Sequence, residues 1–389
     1  MAERARTPLA RRLLWLALFL TFDLIMFGAF VRVADAGLGC PDWPGCYGKI
    51  TPFGALEQIR AAAAALPDGP VTVFKAWIEM LHRYLASALG LLIIGIAWLA
   101  WRQRREAGAA TGSAASDATG DATGNATGNA IGGQVAGARL SLVLAVLTLA
   151  WVIIQGLFGM WTVTLRLRPA VVTAHLLGAM VLFALLFAQA DRISPRPAVG
   201  AAAARFRGWV VAALALVLVQ IALGGWVSSN YATLACQDFP RCQGRWWPAM
   251  DLAAGFTIWR PLGALPDGSA LPFQALTGIH YAHRLMAYLV LLAVGVLAWR
   301  IRRIAGLEKL ARWLSAVLAL QLGTGLTNIF LDWPAAAAVL HTGGATALVG
   351  ILLMVNSRAA AAARATVAAG TGRAADARAA GSAGNRDRT

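Results

Sequence analysis

Charged residues are scarce in this sequence, and acidic residues are the scarcest of them. Asp, Glu, Lys and Arg make up only 13% of the 389 residues, with 18 acidic against 34 basic side chains. Because hydrophobic residues reach 59%, the composition excludes an ordinary soluble domain and indicates a membrane protein. The sequence also lacks the Gly-rich fingerprint of a flavin or nicotinamide site. Electrons for any redox chemistry would therefore have to come from a partner or a membrane carrier.

Eight apolar stretches are long enough to cross about 30 Å of hydrocarbon as helices. The first stretch is too long for a removed signal peptide and lacks the small-residue cleavage site of one. The sequence therefore predicts an all-α membrane protein with eight transmembrane helices. The predicted spans are about 13–33, 80–101, 139–161, 171–190, 208–228, 284–300, 312–331 and 336–355.

Lys and Arg are distributed unevenly between the predicted loops. They cluster before the first span and after the second, fourth, sixth and eighth, whereas the opposite loops are poorer in them and hold every cysteine. By the positive-inside rule, the protein is expected in a bacterial cell (inner) membrane with both termini in the cytoplasm and the cysteine loops on the periplasmic or extracytoplasmic side. The formal charge of +16 is then a topology signal, and nucleic-acid binding is the poorer interpretation.

Two loops of the chain repeat each other and contain all four of its cysteines. Residues 28–46 read GAFVRVADAGLGCPDWPGC, and residues 224–242 read GGWVSSNYATLACQDFPRC, at a constant offset of 196 residues. His-Arg pairs and single histidines follow each loop in the same order. This self-similarity indicates a duplicated unit. Since each half has four spans, it predicts two tandem pseudo-symmetric four-helix bundles of the same orientation.

Composition divides the chain further. A Gly, Ala, Thr, Ser and Asn tract inside the first half is typical of a flexible linker, and the Ala/Gly/Arg-rich C-terminus is typical of disorder. The predicted segments are a cytoplasmic N-terminus at 1–12, a first bundle at 13–190 with the linker at 107–137, a connecting loop at 191–207, a second bundle at 208–355 and a disordered cytoplasmic tail at 356–389.

Four of the five histidines form one equivalent pair in each half. The pairs are His82 with His175, and His283 with His341. Polar residues inside a membrane are costly and tend to be functional. Two imidazoles that face each other across a bundle can bind a heme iron axially. Zinc is the less favoured metal because no third or fourth ligand accompanies each pair.

Charged residues flank the first histidine of each pair. Arg83 and Arg284 directly follow it, and they could bind heme propionates or extend to the membrane interface. Glu79 lies three residues before His82 on the same helix face, where a carboxylate can accept or relay protons; a helix-start residue satisfied by water or amides is the alternative. Its counterpart in the second half is His280, which we interpret as a local hydrogen-bonding residue.

The cysteines are spaced C-x5-C in both loops. On an oxidising side of a membrane the default is a disulfide within each loop, and the repeat favours Cys40–Cys46 with Cys236–Cys242. For the second pair we favour a structural role. For the first pair a structural bridge and a redox-active pair that touches the substrate both stay open.

Together these motifs resemble the heme A synthase family, with its mitochondrial relatives, over about residues 13–355. The matching motifs are GAFVR with GLGCPDWPGCYGKITP in the first loop, EMLHR at 79–83, QGLFGMWTV at 155–163, TAHL at 173–176, HR at 283–284 and LHTGGA at 340–345. The resemblance implies two four-helix bundles in one eight-helix protein, with a different task for each bundle.

The resemblance also implies residue roles and a reaction. His82 and His175 would hold heme O as the substrate, with Glu79 beside it. His283 and His341 would hold a heme B cofactor. Two hydroxylations at one methyl carbon of heme O would give a hydrate, which loses water to leave the formyl group of heme A for terminal oxidases. The heme would carry the redox chemistry, and the protein would supply iron ligation, orientation and proton relay.

Two interpretations from other classes compete with this one. A diheme cytochrome b that only carries electrons would hold two heme B groups and leave Glu79 unexplained. A heme or thiol transporter would need helices broken at mid-membrane, and the eight stretches show no clear pair of these. The enzymatic interpretation adds a heme O synthase, an electron donor and membrane lipid as partners, and association into a homo-oligomer stays open.

Overall fold

The structure is a computed structural model that describes residues 2–67, 69–117, 140–195 and 197–384. These residues form α-helices and short 3-10 turns, and no strand is present among them. The helices in chain order are α1 (Ala2–Val33), α2 (Leu56–Ala65), α3 (Val73–Asp117), α4 (Leu142–Thr164), α5 (Pro169–Ile193), α6 (Arg207–Ser229), α7 (Leu252–Gly255), α8 (Phe273–Ile301), α9 (Glu308–Phe330) and α10 (Ala335–Gly384).

Eight of these helices are long and apolar enough to cross a membrane. They are α1, α3, α4, α5, the segment that ends in α6, α8, α9 and α10. The predicted fold class is therefore confirmed, and the protein is a multi-pass membrane protein. The short helices α2 and α7 lie in the loops that follow the two cysteine pairs.

Local sequence explains how α4 and α5 are set against each other. Ser141 caps the start of α4, where its hydroxyl accepts from Leu144 N at 3.4 Å. Pro169 occupies the first turn of α5, where its missing N–H costs no helix bond. Between the helices, Arg166 and Leu167 have φ of 51° and 56°. This tight turn reverses the chain, so α4 and α5 pack side by side.

The long helices pack in two rings of four. In the first ring α1 contacts α3, α3 contacts α4, α4 contacts α5, and α5 returns to α1. In the second ring α6, α8, α9 and α10 follow the same order. Between the rings, α1 contacts α10 and α5 contacts both α6 and α10. If the first half is exchanged with the second, α1 corresponds to α6 and α5 to α10. The contact of α1 with α10 then corresponds to that of α6 with α5, and the contact of α5 with α10 corresponds to itself. This pattern is expected for a pseudo-two-fold axis between parallel repeats.

Side chains at the boundary obey the same symmetry. Arg32 donates to Ser228 O at 2.8 Å, and the Tyr231 hydroxyl donates to Asp35 at 2.5 Å. Both pairs join positions that are 196 residues apart, which is the offset of the sequence repeat. Since equivalent residues can touch only where the symmetry axis passes, this cluster marks the axis.

Two segments that composition predicted to lack regular structure are helical. α3 continues through the first part of the expected linker to Asp117, and α10 continues through the expected disordered tail to Gly384. Alanine has the highest helix propensity, and extending an existing helix avoids the cost of nucleation. The remainder of the linker, 118–137, and residues 385–389 of the tail lie outside the described residues.

Candidate heme-binding site

The two cysteine loops have the same internal construction. Cys40 is bonded to Cys46, and Cys236 is bonded to Cys242, with Cα–Cα separations of 4.9 and 4.8 Å. All four side chains are fully buried. This is the pairing that the repeat favours, and it leaves no free cysteine in the described chain.

An aspartate inside each disulfide loop closes its turn. Asp42 accepts from the N–H groups of Tyr47 and Gly48 at 2.6 and 2.7 Å. Asp238 makes the same pair of bonds in the second loop, at 2.7 and 2.9 Å. Gly48 has φ of 70°, a conformation that glycine adopts at little cost. Each loop therefore has a defined shape above its bundle.

The two arginines that follow the histidines hold these loops. Arg83 donates from Nη1 to three carbonyl oxygens of the first loop, at 2.6 to 3.2 Å. Arg284 donates to three carbonyl oxygens of the second loop, also at 2.6 to 3.2 Å. Neither role was evident from sequence, and the predicted contact with heme propionates stays a prediction. A bound propionate would have to share these donors with the loops.

Glu79 is buried, with 4% of its surface exposed, and lines the central cavity. Arg83 Nη2 donates to its Oε1, and Cys40 N donates to its Oε2 at 2.9 Å. The carboxylate therefore connects the helix that carries His82 to the first disulfide. The counterpart His280 instead has Nδ1 at 3.0 Å from Ala232 O, which is the local hydrogen bond expected for it.

A continuous cavity of about 1200 Å³ is lined by described residues of both bundles and both cysteine loops. All four paired histidines line it, together with Glu79, Arg83 and Arg284. Among the described residues no group of three or more His, Cys, Asp or Glu could hold a metal ion. A planar ligand whose iron takes one imidazole from each of two helices suits this set of residues better than a bare ion does.

In the first half, buried polar atoms at the cavity lack partners. His82 Nδ1, His175 Nδ1 and both amide atoms of Gln155 have no hydrogen bond within the described structure. Such orphaned atoms are rare in native proteins and call for an explanation. Gly28 gives His82 room, since an added Cβ would lie only 3.2 Å from His82 Cε1, whereas a Cβ at Gly159 would make an ordinary contact at 3.7 Å with His175 Cε1.

In the second half, the equivalent imidazoles have side-chain partners. The Gln220 amide nitrogen lies 3.1 and 3.3 Å from the two ring nitrogens of His283. Thr324 Oγ1 lies 2.9 Å from His341 Nδ1. Because Thr324 also donates to Leu320 O at 2.8 Å, its oxygen accepts from Nδ1–H, which leaves Nε2 of His341 free for a metal.

Sequence reasoning missed Gln220 and Thr324, although the repeat contained a signal. Leu24 lies 196 residues before Gln220, and Phe158 lies 166 residues before Thr324, which is the offset that relates His175 to His341. Both first-half residues are apolar. A polar residue in one half aligned with an apolar one in the other marks a position where the bundles differ. That signal alone could not identify the histidines as the partners.

Comparison with known proteins decides the family. The model of the cytochrome oxidase assembly protein family matches residues 11–353. The chain belongs to this family. A relative named heme A synthase from Shewanella oneidensis is 35% identical over 346 residues, which cover 88% of this chain and 94% of the relative.

More distant relatives in the family have the same name. A heme A synthase from Caulobacter vibrioides is 28% identical over 374 residues, covering 90% of this chain and 95% of its own length. One from Halalkalibacterium halodurans is 26% identical over 331 residues, covering 82% and 86%. The family membership predicted from the histidine, arginine and cysteine motifs is confirmed.

Proposed function

We propose that the protein is a heme A synthase, with heme O as substrate in the first bundle and a resident heme B in the second. Its reaction oxidises a methyl group of heme O to a formyl group. The family match and the named relatives support the reaction. The assignment of one task to each bundle rests on the structure of the cavity.

The carrying observation is the difference between the two histidine pairs. Thr324 accepts from Nδ1–H of His341, which orients that ring and leaves Nε2 for iron, as suits a cofactor that stays bound. The Gln220 amide nitrogen also contacts the His283 ring, but as a donor, so it is His341 whose ring is oriented as a ligand. His82 and His175 have an unpartnered nitrogen each. Imidazoles that find a partner only when a ligand arrives suit a substrate that enters and leaves.

The chain's own residues then act as follows. His82 and His175 ligate and orient the substrate, and His283 and His341 ligate the cofactor. When bound, the heme iron supplies the redox chemistry at the methyl group. The Glu79 carboxylate lies at the cavity wall, where it can accept or relay a proton. Arg83 connects that carboxylate to the first disulfide loop, which covers the site.

Orientation and partners follow from the charge pattern and from the reaction. We place both termini in the cytoplasm and the disulfide loops outside the bacterial inner membrane, because the Arg-rich ends of the helices lie opposite the cysteines. A heme O synthase must supply the substrate. An electron donor must supply reducing equivalents, since the sequence shows no flavin or nicotinamide fingerprint.

The pigments of the purified protein test this function. After co-expression with a heme O supply, we expect extraction to yield heme B together with heme O, heme A or an intermediate between them. The measurement is chromatography of acid-extracted porphyrins with mass detection. Heme B alone, under conditions where heme O accumulates in the membrane, would instead support a diheme cytochrome b.

The hydrogen bonds in the second bundle give a further prediction. Gln220→Leu and Thr324→Val remove the side-chain partners of His283 and His341. They leave apolar residues at these positions, as the first half has at Leu24 and Phe158. Loss of such supporting contacts typically lowers metal affinity by about 10- to 100-fold. We therefore expect less heme B per protein after dialysis against a heme-binding competitor. Leu24→Gln is the matched control, and unchanged heme B retention in both second-half variants would remove the basis for the division of tasks.

A further inference from the structure

Arg32, in the last turn of α1, is a charged residue at the boundary that the proposed reaction does not use. Its side chain is 11% exposed and lines the central cavity. Nη2 donates to Ser228 O on α6 at 2.8 Å. Nη1 is buried and has no hydrogen-bond partner within the described structure. Since an unpaired buried donor is costly, this nitrogen is a candidate ligand-binding atom.

The groups around Arg32 fix its guanidinium without neutralising it. Its Cζ lies 3.7 Å from the centroid of the Tyr231 ring. Asp35 Oδ1 is 3.9 Å from Nη1, but the same carboxylate also pairs with Lys75 Nζ at 3.4 Å. Burial raises the pKa of Tyr231, and its hydrogen bond to Asp35 acts in the same direction, so the phenol stays a neutral donor. Two cations share one carboxylate, which leaves an excess of positive charge.

Helix geometry places Arg32 close to the first histidine pair. Gly28 lies four residues before it on α1, and a Cβ there would be 3.2 Å from His82 Cε1. Residues four apart share a helix face, with Cβ atoms about 5 to 6 Å apart. Arg32 is therefore one turn beyond His82, on the side of the cysteine loops.

The same geometry connects Arg32 to the second pair. Gly224 lies four residues before Ser228 on α6, and a Cβ there would be 3.0 Å from His283 Cε1. Because Arg32 bonds to Ser228 O, its guanidinium is also one turn beyond His283. The guanidinium thus lies one helical turn beyond the first histidine of each pair, on the side of the cysteine loops. Its counterpart in the sequence repeat, Ser228, has no charge.

A porphyrin bound between the histidines presents anionic propionates and an otherwise apolar surface. Guanidinium groups bind carboxylates through charge-assisted, often bidentate bonds. Both terminal nitrogens of Arg284 donate to loop carbonyls and only its Nε has no partner. Arg83 also donates to the loop, whereas the terminal Nη1 of Arg32 has no hydrogen bond. We propose that Arg32 binds a propionate of a porphyrin held in the cavity. This inference rests on the proposed heme binding.

Two bound hemes could supply the propionate, and binding titrations distinguish them. In a His283→Ala background only the first pair is complete, and in a His82→Ala background only the second is. Each background is purified at full length in detergent, with Arg32 or with Arg32→Gln, and is titrated with hemin and with hemin dimethyl ester. The ester keeps the iron and the ring but removes the propionate charge.

We expect Arg32→Gln to weaken hemin binding by about 10- to 100-fold in one background or both, as loss of a charged hydrogen bond does. The affinity for hemin dimethyl ester should be the same with Arg32 and with Arg32→Gln. The background in which hemin binding weakens shows which histidine pair holds the heme that Arg32 contacts. Arg32→Lys keeps the charge and should retain part of the preference for hemin; it replaces Arg32→Gln in the titration if that variant does not fold.

Two results would overturn the proposal. One is equal hemin affinity with Arg32 and with Arg32→Gln in both backgrounds. The other is an equal loss for hemin and its ester, which would indicate a structural role at the boundary. Failure of both parent backgrounds to bind hemin would instead refute heme binding by these histidines, and this inference with it.

Discussion

His283→Ala and His341→Ala are expected to deplete the resident heme B, whereas His82→Ala and His175→Ala are expected to abolish heme A formation and leave heme B in place. Each substitution removes one of two axial ligands. In the second bundle the surviving imidazole keeps its own partner, Thr324 or Gln220, but a single ligand holds the iron less firmly. In the first bundle the surviving imidazole has no such support, so substrate binding should fail.

The measurement is pigment composition in membranes that contain matched amounts of each variant. Heme A should fall to background in all four variants, because a cofactor-free second bundle cannot sustain turnover. Heme B should fall only in the two second-half variants. His280→Gln is the matched control, since that imidazole bonds to Ala232 O instead. Equal loss of both pigments in all four folded variants would contradict the division of tasks.

The sequence was sufficient to predict the features that depend on periodicity and repetition. Eight long apolar runs define the spans, because hydrocarbon thickness fixes helix length. The constant offset of 196 residues between the loops pairs Cys40 with Cys236, and the shared order of motifs pairs His82 with His283 at an offset of 201. The two bundles and the equivalent histidines could therefore be predicted from the sequence alone.

Features that depend on contacts between helices could not be predicted in this way. Arg83 directly follows a candidate ligand, which suggested a heme contact, yet its guanidinium reaches the loop carbonyls. Whether Gln220 faces His283 or lipid depends on the rotation of α6, which hydropathy does not fix. The same holds for Arg32, whose partner Ser228 lies in the other half of the chain.

Composition gives opposing indications at the helix ends. An Ala-rich tail has little hydrophobic surface to bury, which favours disorder, but it also has high helix propensity. The membrane-spanning part of α10 provides a formed helix that the tail extends, and the helix continues as far as Gly384. Helix propensity therefore outweighs the low hydrophobicity of the tail. An isolated peptide of the same sequence would lack that nucleus.

Glu79→Gln is expected to retain both hemes and to accumulate heme O or its hydroxylated intermediate. The substitution keeps the size of the side chain but removes its charge and its capacity to take a proton. General acid–base groups typically contribute about 100- to 10,000-fold, so heme A should fall to near background. The counterpart substitution His280→Gln should affect the chemistry less, because that residue belongs to the cofactor half.

The bonds of Glu79 make a second comparison necessary. Both of its oxygens accept, one from Arg83 and one from Cys40 N, and an amide can accept with only one oxygen. Glu79→Gln therefore also weakens the attachment of the disulfide loop. Arg83→Gln breaks the same ion pair and removes three bonds to the loop as well, yet it keeps the carboxylate. If Glu79 only supports the loop, Arg83→Gln should be the more damaging change.

If Glu79 handles protons, the order reverses, and Glu79→Gln should lower heme A more than Arg83→Gln at equal heme content. Pigment analysis at matched protein levels gives the yields, and thiol counting under denaturing conditions shows whether Cys40–Cys46 is intact in each variant. A wild-type yield of heme A from Glu79→Gln would refute the proton role. Because Cys40 N donates to the same carboxylate, any proton taken up at Oε2 would weaken that bond, so the proposed chemistry and the position of the loop are physically coupled.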